Sequence, residues 1–114
     1  MNAETLVLAV LDALPGREVR GRKRLQKLAF FAIQSGTKAD AHFSLHDFGP
    51  YSTEVAGATD FLSFLGDISE EDAQFTRTKK YYKLYRLTGS DVPEKLPSKS
   101  LSENIRRDYK VFGA

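Results

Sequence analysis

Two stretches decide how this chain reads: Arg22-Lys23-Arg24-Leu25-Gln26-Lys27-Leu28-Ala29-Phe30 and Phe48-Gly49-Pro50-Tyr51-Ser52-Thr53-Glu54-Val55. The first sits inside an amphipathic pattern over 20–35. Leu25, Leu28, Ala29 and Ala32 share one face, flanked by Phe31 and Ile33, and Gly36 offers the stop. The second opens another helix. Ser52 is an N-cap residue and Glu54 falls in the first turn, where the helix dipole favours negative charge. Val55, Ala58, Leu62 and Leu65 are expected to face inward, widened by Phe61 and Phe64, with Gly66 as the end. Gly57 inside that helix predicts close packing or close approach of another backbone. Between the two helices, residues 42–48 alternate polar and apolar and predict a short strand, punctuated by Gly49-Pro50.

Working outward, residues 3–14 predict a first helix capped by Asn2. Leu6, Val7, Val10, Leu11 and Leu14 form its stripe, and Pro15-Gly16 ends it. Residues 68–88 predict a hairpin. Its return strand is Tyr81 to Thr88, its outgoing strand covers 74–78, and Thr78-Lys79-Lys80 forms the tip. Glu70-Glu71-Asp72 reads as a solvated acidic turn before it. Residues 89–100, with Gly89, Pro93 and Pro97, form a connector. Leu101, Ile105, Tyr109 and Phe112 then recur at about helical spacing. The expected fold is therefore α+β, of winged helix-turn-helix type: three helices, a short strand, a β-hairpin wing and a C-terminal helix. One domain would span 1–90. Residues 91–114 would pack on it or on a dimer partner.

The two motifs, taken together, resemble the YwgA-like and Panacea (SocA-type antitoxin) families. The resemblance covers roughly residues 1–90. It implies a winged-helix-like domain with regulatory work (antitoxin, adaptor or transcription control) and no reaction of its own. It also implies that Leu25 and Leu28 are core residues, that Gln26 and Lys27 lie on the polar face, and that Gly49-Pro50-Tyr51 sets the turn into the third helix. Members of such families commonly continue beyond the point where this sequence ends.

Composition limits the alternatives. The chain has 114 residues, enough for one core, with 41% hydrophobic and 28% charged residues. It has no cysteine, which excludes disulfides and cysteine-based zinc sites and fits a cytoplasmic setting. No apolar run reaches the roughly 20 residues of a membrane span. The net charge of +2 is small, so any case for nucleic acid rests on where the charge lies.

Arg17, Arg20, Arg22, Lys23, Arg24 and Lys27 form the strongest basic cluster, opposed only by Glu18. Arg77, Lys79, Lys80, Lys83 and Arg86 form a second on the hairpin. Both fit phosphate neutralisation, and both also fit an ordinary solvated face or a protected sheet edge. The third helix offers Glu54 and Asp60 and no cation, which disfavours base reading in the major groove. Tyr81, Tyr82 and Tyr85 fit base stacking, and fit core packing better. His42 and His46 lack the further ligands that zinc requires, and Ser52 beside His46 and Asp47 has no triad geometry. No enzyme chemistry, cofactor, metal or membrane is expected. The sequence reads as a regulatory binding module touching nucleic acid through phosphates, by way of Arg17, Arg20, Arg22, Lys23, Arg24, Lys27, Arg77, Lys79 and Lys80. The alternative is a protein adaptor using Tyr51, Glu54, Asp60, Leu101, Ile105 and Phe112, with a homodimer through the C-terminal helix open to either.

Overall fold

A computed structural model describes residues 1–47, 49–89 and 91–96. The fold is α+β, with three helices and two small antiparallel sheets. Helix α1, Ala3–Ala13, is its spine. Asn2 caps it by accepting the Thr5 amide at 2.8 Å. Besides the expected stripe, Ala3, Leu8, Ala9 and Ala13 are buried too. A helix apolar nearly all round belongs inside a domain, and α1 packs against the other two helices and the larger sheet.

Pro15–Arg17 forms a short 3-10 turn, and strand β1, Glu18–Arg20, follows. The basic reading of 17–27 had hidden this strand. Only Val19 of its three residues is buried, too short an alternation to register as a pattern. Helix α2 runs Arg22–Gln34. A hairpin follows, of β2, Ser44–His46, and β3, Gly49–Tyr51, paired with Leu45 opposite Pro50. The single strand expected over 42–48 is thus replaced by two, and Gly49-Pro50 belongs to the second. Proline is tolerated because the hairpin has only two strands, both of them edges.

Helix α3, Thr53–Leu65, begins at Ser52, whose hydroxyl accepts the Val55 amide at 3.2 Å. It ends at Gly66 in the left-handed region, φ 84°. Strands β4, Ile68–Gln74, and β5, Tyr81–Leu87, form the long hairpin, and β1 adds to the far side of β5. The outgoing strand therefore lies earlier than 74–78, and the acidic run 70–72 is strand rather than turn. β4 is an edge strand, so its carboxylates face water or cross-strand cations, as in the Asp72–Lys83 pair at 2.6 Å.

Three residues expected inward face out. Phe61, Phe64 and Leu65 are 51%, 87% and 53% exposed. Buried Val55, Ala58, Thr59 and Leu62 define the inner face, and Phe64 lies nine residues, about two and a half turns, from Val55 on the opposite side. Gly57 is also exposed, and nothing lies within 4 Å of where its Cβ would stand. Neither the close packing nor the close backbone approach expected there is present among the described residues. Gly57→Ala is accordingly expected to stabilise the fold by about 1 kcal/mol. Urea unfolding at low protein concentration checks this, and an unchanged midpoint would show that the site is conformationally special.

The aromatic strand separates into three roles. Tyr85 is fully buried, Tyr82 packs on Phe75 with ring centroids 4.4 Å apart, and Tyr81 is exposed. Leu101, Ile105, Tyr109 and Phe112 lie outside the described residues. No helix among the described residues is long and apolar enough to cross a membrane.

Candidate binding site

The two motifs that organise the sequence meet in space through one side chain. Gln26, on α2, is only 3% exposed. Its Nε2 donates to the Ser52 carbonyl at 2.9 Å, and its Oε1 accepts the Ser52 amide at 2.8 Å. The carboxamide thus pairs with a backbone as another strand would. It ties the first turns of α2 to the residue that caps α3. The polar-face position implied by family resemblance is corrected here: Gln26 is polar but buried, and its polarity is spent on Ser52.

Above this staple lies a half-open pocket of about 290 Å³, lined by Arg22, Lys23, Gln26, His46, Gly49, Pro50 and Tyr51. Both motifs supply its walls. Gly49 has φ 116°, a conformation side chains rarely adopt, and the Lys27 Cε lies 4.0 Å from where a Cβ would stand. His46 and Tyr51 stand side by side with ring centroids 5.1 Å apart, and His46 Nε2 lies 3.0 Å from the Ser44 hydroxyl. Tyr51 and His46 also wall a second hollow of about 260 Å³, lined further by His42, Phe43, Ser44, Thr53 and Glu54.

Arg22 forms the edge of the pocket facing the sheet. Its Nε donates to the Tyr85 hydroxyl at 2.9 Å, and its Nη2 meets Asp60 at 2.5 Å and Glu70 at 3.5 Å. Partial burial opposes its charge. The bonds to Asp60 and Tyr85 outweigh that and raise its pKa. Burial pushes the Tyr85 phenol up to about 12, helped by the hydrogen bond it gives Glu70 and opposed by Arg22. One network therefore joins α2, α3, β4 and β5.

The remaining basic residues divide. Arg17 pairs with Asp12 at 3.3 Å and donates to the Gly89 carbonyl at 2.6 Å. Lys23, Arg24 and Lys27 follow Arg22 along α2, where Lys23 is exposed and the other two half-buried. Of the hairpin cluster, Lys83 pairs with Asp72 and Arg86 with Glu18, and both pKa values are raised by those hydrogen bonds. Arg20, Arg77, Lys79 and Lys80 are exposed and form no ion pair among the described residues.

Asp60 and Glu54, expected to face a partner, are each engaged within the chain. Asp60 holds Arg22. Glu54 accepts the Thr53 hydroxyl and the His42 amide, each at 2.6 Å, which hold its carboxyl down to about 2. The two histidines have different neighbours, and no group of three or more metal-ligating side chains occurs among the described residues. The sequence offers His46 only as a metal ligand or a triad member, both of which it disfavours, and places neither Pro50 nor Gln26 in a site. The available signal was the pairing of the two motifs, which meant contact rather than succession. The pocket holds cations at its rim and has aromatic and apolar walls. Neither the family models, nor the curated proteins, nor the solved structures give a match to this chain.

Proposed function

We propose that this chain is a non-enzymatic binding module of winged-helix type that holds a protein partner at the pocket between its two motifs. The winged-helix reading rests on element order. A strand between the first two helices adds to the return strand of a later hairpin, giving the order β1-β5-β4. In that scheme α3 takes the place of a recognition helix. Its outward side carries Thr53, Gly57, Asp60, Phe61 and Phe64 and no cation, and the nearest cation, Arg22, is committed to Asp60 and Glu70. The supporting observation is the convergence of both motifs, through the Gln26–Ser52 pair, on one apolar pocket rimmed by Arg22 and Lys23. Such a site suits an apolar side chain of a regulated protein, seated against Pro50 and Tyr51. An antitoxin- or regulator-like role in the cytoplasm is consistent with that chemistry.

A second reading is favoured by a separate place. Arg77, Lys79 and Lys80, at the tip of the long hairpin, are available to phosphates. A photo-crosslinking phenylalanine analogue at Tyr51, and separately at Lys79, tests both. The expected result is a discrete protein adduct from position 51, weakened by Lys23→Glu, and any nuclease-sensitive adduct from position 79 alone. Nuclease-sensitive adducts from position 51, with no protein adduct, would overturn the protein-binding reading.

A further inference from the structure

Gly57, Phe61, Phe64 and Leu65 make one continuous stripe along the outer side of α3, at spacings of four, seven and eight residues. It is the largest apolar exposure on any helix among the described residues, and it has an internal shape. Phe64 projects from one end, 87% exposed. Gly57, two turns earlier, is a notch with open space above it. Reversed end for end, the stripe fits itself. With two copies of α3 antiparallel, residue positions summing to a constant face each other. Phe64 of each copy then meets Gly57 of the other, and the two Phe61 rings flank the axis.

Charge supports the same occupant. Asp60 is the only ionised residue on the outer side of α3 near that axis, and Arg22 neutralises it. Each Asp60 is held by Arg22 of its own chain, whereas an unpaired Asp60 near the axis would repel its copy. The stripe offers no other charge for an acidic or basic partner to recognise. Two aromatic rings and a leucine per copy supply the apolar centre of an isologous interface, though less than the roughly 800 Å² per partner of a standard complex. We infer that this chain forms a two-fold homodimer through the outer face of α3, with Phe64 seated on Gly57 of the partner copy, and that it dissociates at micromolar concentration.

The test is sedimentation velocity on the full 114-residue chain from about 1 to about 300 µM. The expected result is a rise from the monomer mass toward twice that mass across the range. Phe64→Asp should hold the protein monomeric throughout, with its circular dichroism unchanged because the residue is exposed. Gly57→Leu, filling the notch, should weaken association at least tenfold and also leave the fold intact. Leu45→Asp, at an exposed leucine on the small hairpin, should change nothing. A wild-type monomer at every concentration overturns the inference, whether the stripe is bare or covered by residues 97–114. So does a dimer indifferent to Phe64→Asp and Gly57→Leu. The measurement uses pure protein, so it stands or falls separately from the protein-partner reading of the pocket.

Discussion

Gln26→Leu is expected to lower the unfolding free energy by about 3 kcal/mol, a large effect for a substitution that nearly preserves volume. Leucine would fill the same space between α2 and the start of α3, so little packing is lost. What is lost is the partner of a backbone. The Ser52 carbonyl would still accept the Ala56 amide at 3.0 Å, but the Ser52 amide would have no acceptor. Ser52 is fully buried, so water cannot substitute. An orphaned buried donor costs about 1–3 kcal/mol, and the bond from Nε2 disappears as well. Gln26→Glu separates the two contributions. Its carboxylate can still accept the Ser52 amide but cannot donate to the carbonyl, so it is expected to be destabilising and to become less so as pH falls and the acid protonates. Urea titrations with unchanged slopes measure both variants. Amide exchange at Ser52 should accelerate in the leucine variant. A loss under about 0.5 kcal/mol would show that the pair is not formed in solution.

The same residue shows where sequence reasoning reached and where it stopped. Helix boundaries were legible because their causes are local. Asn2 and Ser52 cap with their own side chains, and Gly66 adopts the left-handed conformation that was expected of it. Strands were legible only where long. Tyr81–Leu87 announces itself by composition, whereas Glu18–Arg20 exists because β5 offers it a free edge, a fact held more than sixty residues away. The acidic run 70–72 reads as solvent-facing and is so, yet its strand state comes from pairing with β5 rather than from its own propensity. Helix α3 misled because its apolar residues exceed what one face can bury. The pattern marks it as a helix, and Phe61 and Phe64, being large and apolar, read as core although they are exposed. The basic cluster misled in another way. Charge is visible in sequence, but neutralisation is not: Arg22 is bound to Asp60 and Glu70, 38 and 48 residues on.

Tyr85 carries the second large expected effect. It is fully buried near the middle of β5 and packs within the core that α1 organises. Tyr85→Ala should cost about 3–5 kcal/mol, the range for removing a buried aromatic ring. That leaves the chain near its unfolding threshold, since domains of this size are marginally stable. Tyr85→Phe asks a finer question. The ring stays, and only the hydroxyl that accepts from Arg22 and donates to Glu70 is removed. Both partners are partly exposed and regain water, so the cost should be about 1 kcal/mol. The pH dependence identifies its source. The phenol has its pKa raised from 10 to about 12, chiefly by burial, so the folded chain holds this proton more tightly than the unfolded chain. Its contribution is complete below pH 10 and is lost as pH rises from 10 through about 12. Wild type should therefore lose stability across that window faster than Tyr85→Phe. Tyrosinate absorbance should show one of the five tyrosines titrating late in the folded protein. If the two proteins lose stability in parallel, the hydroxyl is solvated. The network joining Arg22 to the sheet would then be absent, and the sheet-facing wall of the pocket would lack its anchor.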